Sequence, residues 1–230
     1  MSCILNIETS TSVCSVAVSE DGKCIYSDID RTGPNHNERL GSFVDEALGF
    51  ADSHAIPVDA VAVSMGPGSY TGLRIGVSMA KGICYGLDIP LIAVPTLETM
   101  CVPVLLRHDS LPDDALLCPM IDARRMEVYS AVYDNKAQRL SEISPVIVDG
   151  NSYAGWLEQG PVLFIGDGAE KCRDILGSEN AFFEQRCPDA KAMLGPATAA
   201  FERGEWQDCA YFEPFYLKQF MATESKKKMF

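Results

Sequence analysis

The stretch GPGSYTGLRIG, from Gly66 to Gly76, is the segment with the clearest potential for chemistry. It lies between an apolar run and a helical pattern, and backbone N–H groups at a helix start can bind a phosphate. The spacing from Gly66 through Gly68 to Gly72 is one residue too long for the dinucleotide fingerprint. Leu73 stands where a Walker loop has its lysine. The residues alone leave two interpretations open, a binding loop and a turn that only shapes the backbone.

Further hydroxyl groups and one cation extend this candidate site. Ser69 or Thr71 can cap the helix that follows, whereas Arg74 places a cation where the helix dipole disfavours it. We therefore expect an external carboxylate or phosphate beside Arg74. The turn IETSTS either wraps phosphates, with Glu8 near a metal, or joins two strands as a plain turn. The candidate nucleotide or anion residues are Thr9, Ser10, Thr11, Gly66, Gly68, Ser69, Thr71, Gly72 and Arg74.

The sequence offers no catalytic or metal-binding motif. Three histidines, at 36, 54 and 108, lie far apart, and none has a second histidine at the spacing of a short zinc motif. His36 is expected at a helix end or on the surface. Ser69 lacks both a neighbouring histidine and the G-x-S-x-G elbow of serine hydrolases. No catalytic residue and no metal ligand are predicted.

Composition narrows the classes of partner. The net charge of −13 repels a phosphate backbone over most of the surface, which argues against tight direct binding to nucleic acid. The basic run SKKKMF at the end is expected to be solvated. Nine scattered cysteines without a C-x-x-C pair predict buried thiols rather than disulfides. Neither a membrane span nor a signal peptide is predicted.

Periodicity predicts two series of strands and helices. The runs CILNIETS, VCSVAVSE and KCIYSDID, with a hairpin signal at Asp21-Gly22, predict three consecutive antiparallel strands. A capping box at Asn35 and Glu38 opens a helix, and a buried strand then leads into the glycine loop and a second helix. A second series begins near residue 110 with roughly the same order of elements. The chain is therefore expected to form two related α/β layers with a cleft between them.

The two helices of the first half carry wide apolar or small-residue faces. Gly72, Gly76 and Ala80 stand four residues apart, a spacing that lets another backbone approach closely. Such faces either pack inside their own lobe or leave apolar surface for a partner. The spacing alone leaves both alternatives open.

Five segments of the chain carry a resemblance to a known family. They are ILNIETSTSVCSVAV, NHNERL, GPGSYTGLRIGVSMAKGICYGLDIPLIAVPTLE, DARRMEVYSAVY and FYLK. Together they cover about residues 3–217 and resemble the TsaB family, also called YeaZ, of the actin/Hsp70/sugar-kinase (ASKHA) superfamily. The resemblance implies an α/β fold of two actin-like, RNase H-like lobes, each a mixed sheet flanked by helices. The expected domains are an N-terminal lobe with the partner-binding helices over 1–107, a C-terminal lobe over 108–213, and a closing segment with a basic tail over 214–230.

The resemblance also implies a function. TsaB proteins support bacterial synthesis of N6-threonylcarbamoyladenosine (t6A) at position 37 of tRNA as a non-catalytic scaffold that binds and activates the TsaD transferase. The implied partners are TsaD in a heterodimer and the ATPase TsaE in a ternary complex, with a functional link to TsaC. A homodimer of the isolated chain is a further option, and no strong tRNA binding is implied. The chain is expected in the cytoplasm, without a cofactor of its own, and ATP is expected only at the level of the complex.

In the family the partner contact uses helices of the N-terminal half. On this sequence the predicted interface is Leu40, Phe43, Val44, Ala47, Leu73, Gly76, Val77, Ala80 and Cys84. TsaD holds its metal with an H-x-x-x-H pair, whereas His36 is followed by Leu40. Glu8 stands where superfamily ATPases usually carry aspartate. The alternative hypothesis is an ATP-binding ATPase or small-molecule kinase of the same superfamily.

Overall fold

The computed structural model describes residues 2–107, 112 and 114–218. In that part of the chain the strands form two mixed sheets of five strands each. The basic run at the end of the sequence lies outside the described residues. None of the described helices is both long enough and apolar enough to cross a membrane.

The first sheet has the strand order β3-β2-β1-β4-β5. Its strands are β1 (Cys3–Glu8), β2 (Cys14–Glu20), β3 (Lys23–Asp30), β4 (Ala60–Gly66) and β5 (Leu91–Pro95). The first three are antiparallel neighbours, as predicted, whereas β4 pairs with β1 in parallel and β5 pairs with β4 in parallel. The central strand β1 is buried along its whole length.

The first half contains three helices, of which the first two connect strands of its sheet and the third leads to the second sheet. They are α1 (His36–Ser53), α2 (Tyr70–Leu87) and α3 (Thr96–Leu105). The predicted capping box is wrong, because the Asn35 side chain makes no cap hydrogen bond and instead donates to Asp30 Oδ2 at 2.7 Å. The second predicted helix is confirmed, and its C-cap is Asp88, which adopts the left-handed conformation.

The second sheet repeats the topology of the first. Its order is β10-β9-β6-β7-β8, with β6 antiparallel to β7 and parallel to β9. The strands are β6 (Leu116–Asp122), β7 (Glu127–Ser130), β8 (Ser144–Ile147), β9 (Val162–Ile165) and β10 (Ala181–Glu184). The repetition confirms the predicted second α/β series, although β10 was not anticipated from the sequence.

The helices of the second half are much shorter than those of the first. They are α4 (Ala154–Leu157), the 3₁₀ turns Glu170–Cys172 and Ala190–Met193, and α5 (Leu194–Glu202). Where the first half places the 18 residues of α2 between two parallel strands, the second half has only the three residues Glu170–Cys172.

In each half of the chain, one helix packs against the sheet of the other half. Leu97 and Met100 of α3 pack in one cluster with Leu117 and Ile165 of the second sheet. In return, α5 and the 3₁₀ turn before it cover the face of the first sheet opposite α1 and α2. The predicted C-terminal lobe of 108–213 therefore differs from the structure, because residues 190–212 pack on the first sheet.

Candidate functional site

The glycine loop joins β4 to α2 and packs directly on the turn between β1 and β2. A Cβ atom at Gly68 would lie 2.4 Å from the Ser10 carbonyl oxygen. One at Gly72 would lie 2.1 Å from the Thr9 carbonyl oxygen. Real Cβ atoms do not approach so closely, so both positions require glycine. The loop thus brings two backbone segments into contact.

The polar groups at the start of α2 bond to this same turn. Ser69 N–H donates to the Ser10 carbonyl at 2.6 Å, and the Thr9 hydroxyl donates to the Gly72 carbonyl at 2.9 Å. Ser69 is the N-cap of α2, as one of the two predicted choices, since its Oγ accepts from Gly72 N–H at 3.3 Å. Because these groups already have partners in the chain, the geometry favours a loop that shapes the backbone over an anion cradle.

The candidate anion residues do not converge on one accessible surface. Thr9, Ser10 and Thr11 are buried beneath the start of α2, whereas Ser69, Thr71 and Arg74 are exposed. The partner of Arg74 within the described chain is Tyr70, whose ring centroid lies 5.5 Å from the guanidinium carbon.

Glu8 is buried at the end of β1 in an environment that disfavours its charge. One carboxyl oxygen accepts from Ser10 N–H at 2.6 Å, and the other has no hydrogen-bond partner in the described part of the chain. Burial raises the pKa of Glu8 above its ordinary value of 4.5. Within the described ranges, no three His, Cys, Asp or Glu side chains converge as metal ligands, so a metal at Glu8 does not fit this geometry.

His36 is the first residue of α1, so the predicted position at a helix end is confirmed. Its side chain is buried, so the alternative of a surface histidine is wrong. Its Nε2 atom lies 3.1 Å from the Thr9 carbonyl oxygen and 2.9 Å from the Thr11 carbonyl oxygen. Both partners are acceptors, so Nε2 carries the hydrogen. His36 therefore holds the β1–β2 turn in place, a role that its position in the sequence did not reveal.

The predicted partner interface is wrong as an exposed surface. All nine residues are buried inside the first lobe, where the apolar faces of α1 and α2 cover the sheet. They are Leu40, Phe43, Val44, Ala47, Leu73, Gly76, Val77, Ala80 and Cys84. Of the two alternatives that the spacing left open, these faces pack within their own lobe.

The opposite side of α2 carries a second stripe that the sequence argument missed. It forms a shallow groove of about 610 Å³. We call this surface the α2 groove; it is lined by Arg74, Ile75, Ser78, Met79, Gly82 and Ile83. Exposed side chains follow at its C-terminal end, with Tyr85 at 88% and Leu87 at 52% of full exposure. The available signal was a second row of small residues, Ser78 and Gly82, offset from the first row by two positions.

The C-terminal segment crosses the side of α2. Lys81 Nζ donates to the carbonyl oxygens of Ala210 and Phe212 at 3.0 and 3.1 Å. Farther along, the Tyr216 ring packs against Tyr70 at the start of α2, with centroids 4.8 Å apart. The segment therefore fixes both the middle and the N-terminal end of the helix that carries the α2 groove.

The glycine turn after β9, at Gly166 and Gly168, resembles the glycine loop after β4, but only a short 3₁₀ turn follows it. A Cβ atom at Gly166 would lie 2.1 Å from the Met120 carbonyl oxygen, so the turn after β9 also touches the end of the central strand. The Asp167 carboxylate accepts a hydrogen bond from Asp122 N–H at 3.0 Å. Burial raises the pKa of Asp167.

Two lobes of like topology, with glycine turns packed on the ends of their central strands, define an actin-like α/β protein. A solved structure, "YeaZ from Pseudomonas aeruginosa", agrees with this fold at a TM-score of 0.74 and 26% identity. The alignment covers 94% of this chain and 100% of that one.

Sequence relatives specify the family. TsaB of Bacillus subtilis is 36% identical over 186 residues, 76% of this chain and 77% of that protein. TsaB of Escherichia coli is 30% identical over 227 residues, 95% of this chain and 96% of that protein. A family model described as "TsaD: tRNA N6-adenosine threonylcarbamoyltransferase" matches residues 30–186. The chain belongs to the TsaB family, whose curated members are called tRNA threonylcarbamoyladenosine biosynthesis proteins.

Proposed function

We propose that this chain acts in tRNA threonylcarbamoyladenosine synthesis as a non-catalytic scaffold that binds and activates TsaD. The observation that carries the proposal is the α2 groove, an apolar and small-residue stripe on the outer side of a helix whose inner side already covers the sheet. Its relatives in the TsaB family take their name from the same pathway.

The shape of the groove suits another helix. Ser78 and Gly82 lie one turn apart, and a Cβ atom at Gly82 would meet nothing within 4 Å. Small side chains in such a row let two helices cross at short distance, while larger ones beside them interdigitate. Ile75, Met79 and Ile83 form that flanking row and are only partly covered by the chain itself.

The similarity between this chain and the TsaD family supports TsaD as the partner. The TsaD family model matches residues 30–186, a range that includes both α1 and α2. A TsaD lobe of the same design would offer an equivalent helix, so the two chains would meet in a pseudo-symmetric helical contact. Fully burying an aliphatic side chain stabilises by about 1.5–3 kcal/mol. Six such side chains, three from each chain, would contribute at most about 9–18 kcal/mol, and less here because they are already partly covered. The association cost that they must offset is about 4–15 kcal/mol.

The same geometry supports a role without chemistry in this chain. The hydroxyl groups of Thr9 and Ser10, which in an ATPase of this fold would have to reach a phosphate, are fully buried. Glu8 beside them is buried where its charge is disfavoured. We propose that the chain needs no cofactor of its own and that any ATP acts at the level of the complex.

The wider assembly follows from the family. We propose TsaE as a further subunit of the complex, TsaC as the functional source of the activated threonylcarbamoyl group, and the cytoplasm as the location. Without TsaD, a second copy of this chain would occupy the α2 groove, since a symmetric helix contact is self-complementary.

Copurification with TsaD tests the proposal. The variant Gly82→Arg fills the open space of the groove, and it replaces a helix glycine, so the isolated chain should fold at least as stably as the native one. We expect native chain and TsaD to elute as a heterodimer and Gly82→Arg to elute alone. Substitutions such as Leu73→Arg or Ala80→Arg are less informative, because both side chains lie in the core.

A matched control is Gly195→Arg. Gly195 is also an exposed helix glycine with nothing within 4 Å of a Cβ atom, but it lies in α5 on the other side of the first sheet. This variant should bind TsaD normally. A Gly82→Arg variant that binds TsaD as tightly as the native chain would refute the groove as the docking surface. Micromolar Mg-ATP binding with turnover by the isolated chain would instead support the ATPase or kinase alternative.

A further inference from the structure

The turn between β6 and β7 presents two adjacent arginines that the scaffold role leaves unused. Arg124 and Arg125 have φ angles of +71° and +52°, in the left-handed region. For residues other than glycine this conformation costs about 1–2 kcal/mol per residue, and asparagine and aspartate tolerate it better than other residues do. Two consecutive arginines therefore make this turn less stable than glycine or asparagine would at the same positions. Strained positions of this kind concentrate at functional sites.

Both arginines are exposed. Among residues 2–107, 112 and 114–218, no carboxylate forms an ion pair with either group. The acidic residues that flank the turn already have partners, since Asp122 pairs with Lys171 and Glu127 pairs with Lys218. The two arginines thus add uncompensated positive charge at one point of the surface.

This contrasts with the remainder of a chain whose net charge is −13. Several other exposed arginines pair with carboxylates, for example Arg107 with Glu184 and Arg173 with Glu170, whereas Arg74 lies over the Tyr70 ring. In such an acidic protein a free arginine pair indicates an anionic ligand from outside. The planar, forked guanidinium matches phosphate oxygens with two parallel hydrogen bonds.

A series of contacts connects the arginine turn to the N-terminal end of the α2 groove. Lys218, which pairs with Glu127 beside the turn, is two residues from Tyr216, and two residues span at most about 7 Å. Tyr216 in turn packs against Tyr70, over whose ring Arg74 of the groove is placed. These contacts tie the hairpin tip to the helix that carries the groove.

We propose that Arg124 and Arg125 bind backbone phosphates of the tRNA while it is held by the complex with TsaD. This inference rests on the proposed function. The pair sits on an exposed hairpin tip, which suits a phosphodiester backbone, whereas a free nucleotide needs a concave pocket that encloses base and sugar. Because the acidic surface repels RNA elsewhere, the contact is local and adds to binding by the complex without giving the isolated chain strong affinity.

The test compares tRNA binding by the heterodimer made with native chain and with the double variant Arg124→Asn/Arg125→Asn. Asparagine tolerates the left-handed conformation, so the variant should melt at the same temperature as the native chain or higher. We expect tRNA affinity to fall about 10-fold or more at about 0.1 M salt, and the slope of log K against log salt to shrink by about 1–2. The control Arg139→Asn/Arg203→Asn removes the same charge from two exposed arginines near Glu98 and should bind tRNA with an almost unchanged slope.

Each outcome decides between the proposals. A stable heterodimer whose tRNA affinity and salt slope are unchanged by Arg124→Asn/Arg125→Asn overturns the inference and leaves the scaffold role intact. Equal losses in both double variants overturn it too, because net charge would then explain them. Unchanged tRNA binding with lost ATP binding would assign the pair to a nucleotide instead. If native chain and TsaD form no complex, the scaffold role fails and this inference fails with it.

Discussion

The two sheets share one topology, yet the turns that follow their central strands differ completely. Strand β1 ends on Glu8 and leads into a buried turn of hydroxyl side chains. Strand β6 ends on Asp122 and leads into an exposed turn with Arg124 and Arg125. In the first half the 18-residue helix α2 begins directly over the turn, whereas its counterpart in the second half is the 3₁₀ turn Glu170–Cys172.

The two sheets share one topology but differ in the length of the element that follows the glycine turn. We infer that this length determines whether the turn after the central strand is covered or exposed. A long helix closes the first turn and keeps an outer face that the chain covers only in part. A single 3₁₀ turn leaves the second turn open to solvent. The same fold thus packs one turn inward and presents the other outward, and substitutions can test each side of that contrast.

The largest effect is expected from Gly72→Ala. Its Cβ atom would lie 2.1 Å from the Thr9 carbonyl oxygen, and neither backbone segment can retreat without breaking the contact that closes the turn. We expect a loss of at least about 3 kcal/mol in the free energy of unfolding, measured by urea denaturation.

The matched control for this substitution is Gly82→Ala in the same helix. A Cβ atom there meets open space, so the variant should gain about 1 kcal/mol from helix propensity. If Gly72→Ala unfolded at the native urea concentration, the close packing of α2 on the turn would be refuted.

An intermediate effect separates the two faces of α2. Leu73 is fully buried, and Leu73→Ala should lower the free energy of unfolding by about 2–5 kcal/mol. Ile83 lines the α2 groove and is only partly covered, so Ile83→Ala should cost the isolated chain less than about 1 kcal/mol while it weakens binding to TsaD. Equal losses of stability in the two variants would contradict a free outer face.

The smallest effect is a pH dependence at Glu8. Burial raises its pKa in the folded state, so the folded chain retains a proton that the unfolded chain releases. The stability from this group is complete below its ordinary pKa of 4.5 and is lost as pH rises through the folded-state pKa. Glu8→Gln is neutral at every pH, so its unfolding free energy should increasingly exceed the native value as pH rises above 4.5.

The surface variant Glu179→Gln corrects for the change in net charge and should follow the native curve. Parallel pH curves for Glu8→Gln and the native chain would mean that the charge of Glu8 is not disfavoured by its buried site. They would also weaken the contrast with the exposed end of β6.

Much of the fold was accessible from the sequence. Alternating apolar residues and the Asp21-Gly22 turn predicted three antiparallel strands, and the sequence predicted a helix after them that corresponds to α1. The element order indicated that the second half repeats the first. The fate of residues 190–212 was not predictable in this way, because an amphipathic pattern does not say which sheet it covers.

The α2 groove could not be predicted from the sequence in the same way as the fold. Apolar spacing identified Leu73 and Val77 as one face of α2, but a face that is strongly apolar is the one that the lobe itself buries first. The surface that we propose for TsaD is the less apolar stripe beside it, with Ser78 and Gly82 among partly covered aliphatic residues. Burial of His36 and strain at Arg124 likewise depend on contacts between distant segments, which spacing along the chain cannot reveal.

The most direct measurement is t6A formation by purified TsaD, supplied with tRNA and threonylcarbamoyl-adenylate, in the presence of this chain. We predict that the native chain stimulates the reaction, that Gly195→Arg does so equally, and that Gly82→Arg does not. Equal stimulation by Gly82→Arg, or product formation by this chain in the absence of TsaD, would contradict the account of a scaffold that acts through the outer face of α2.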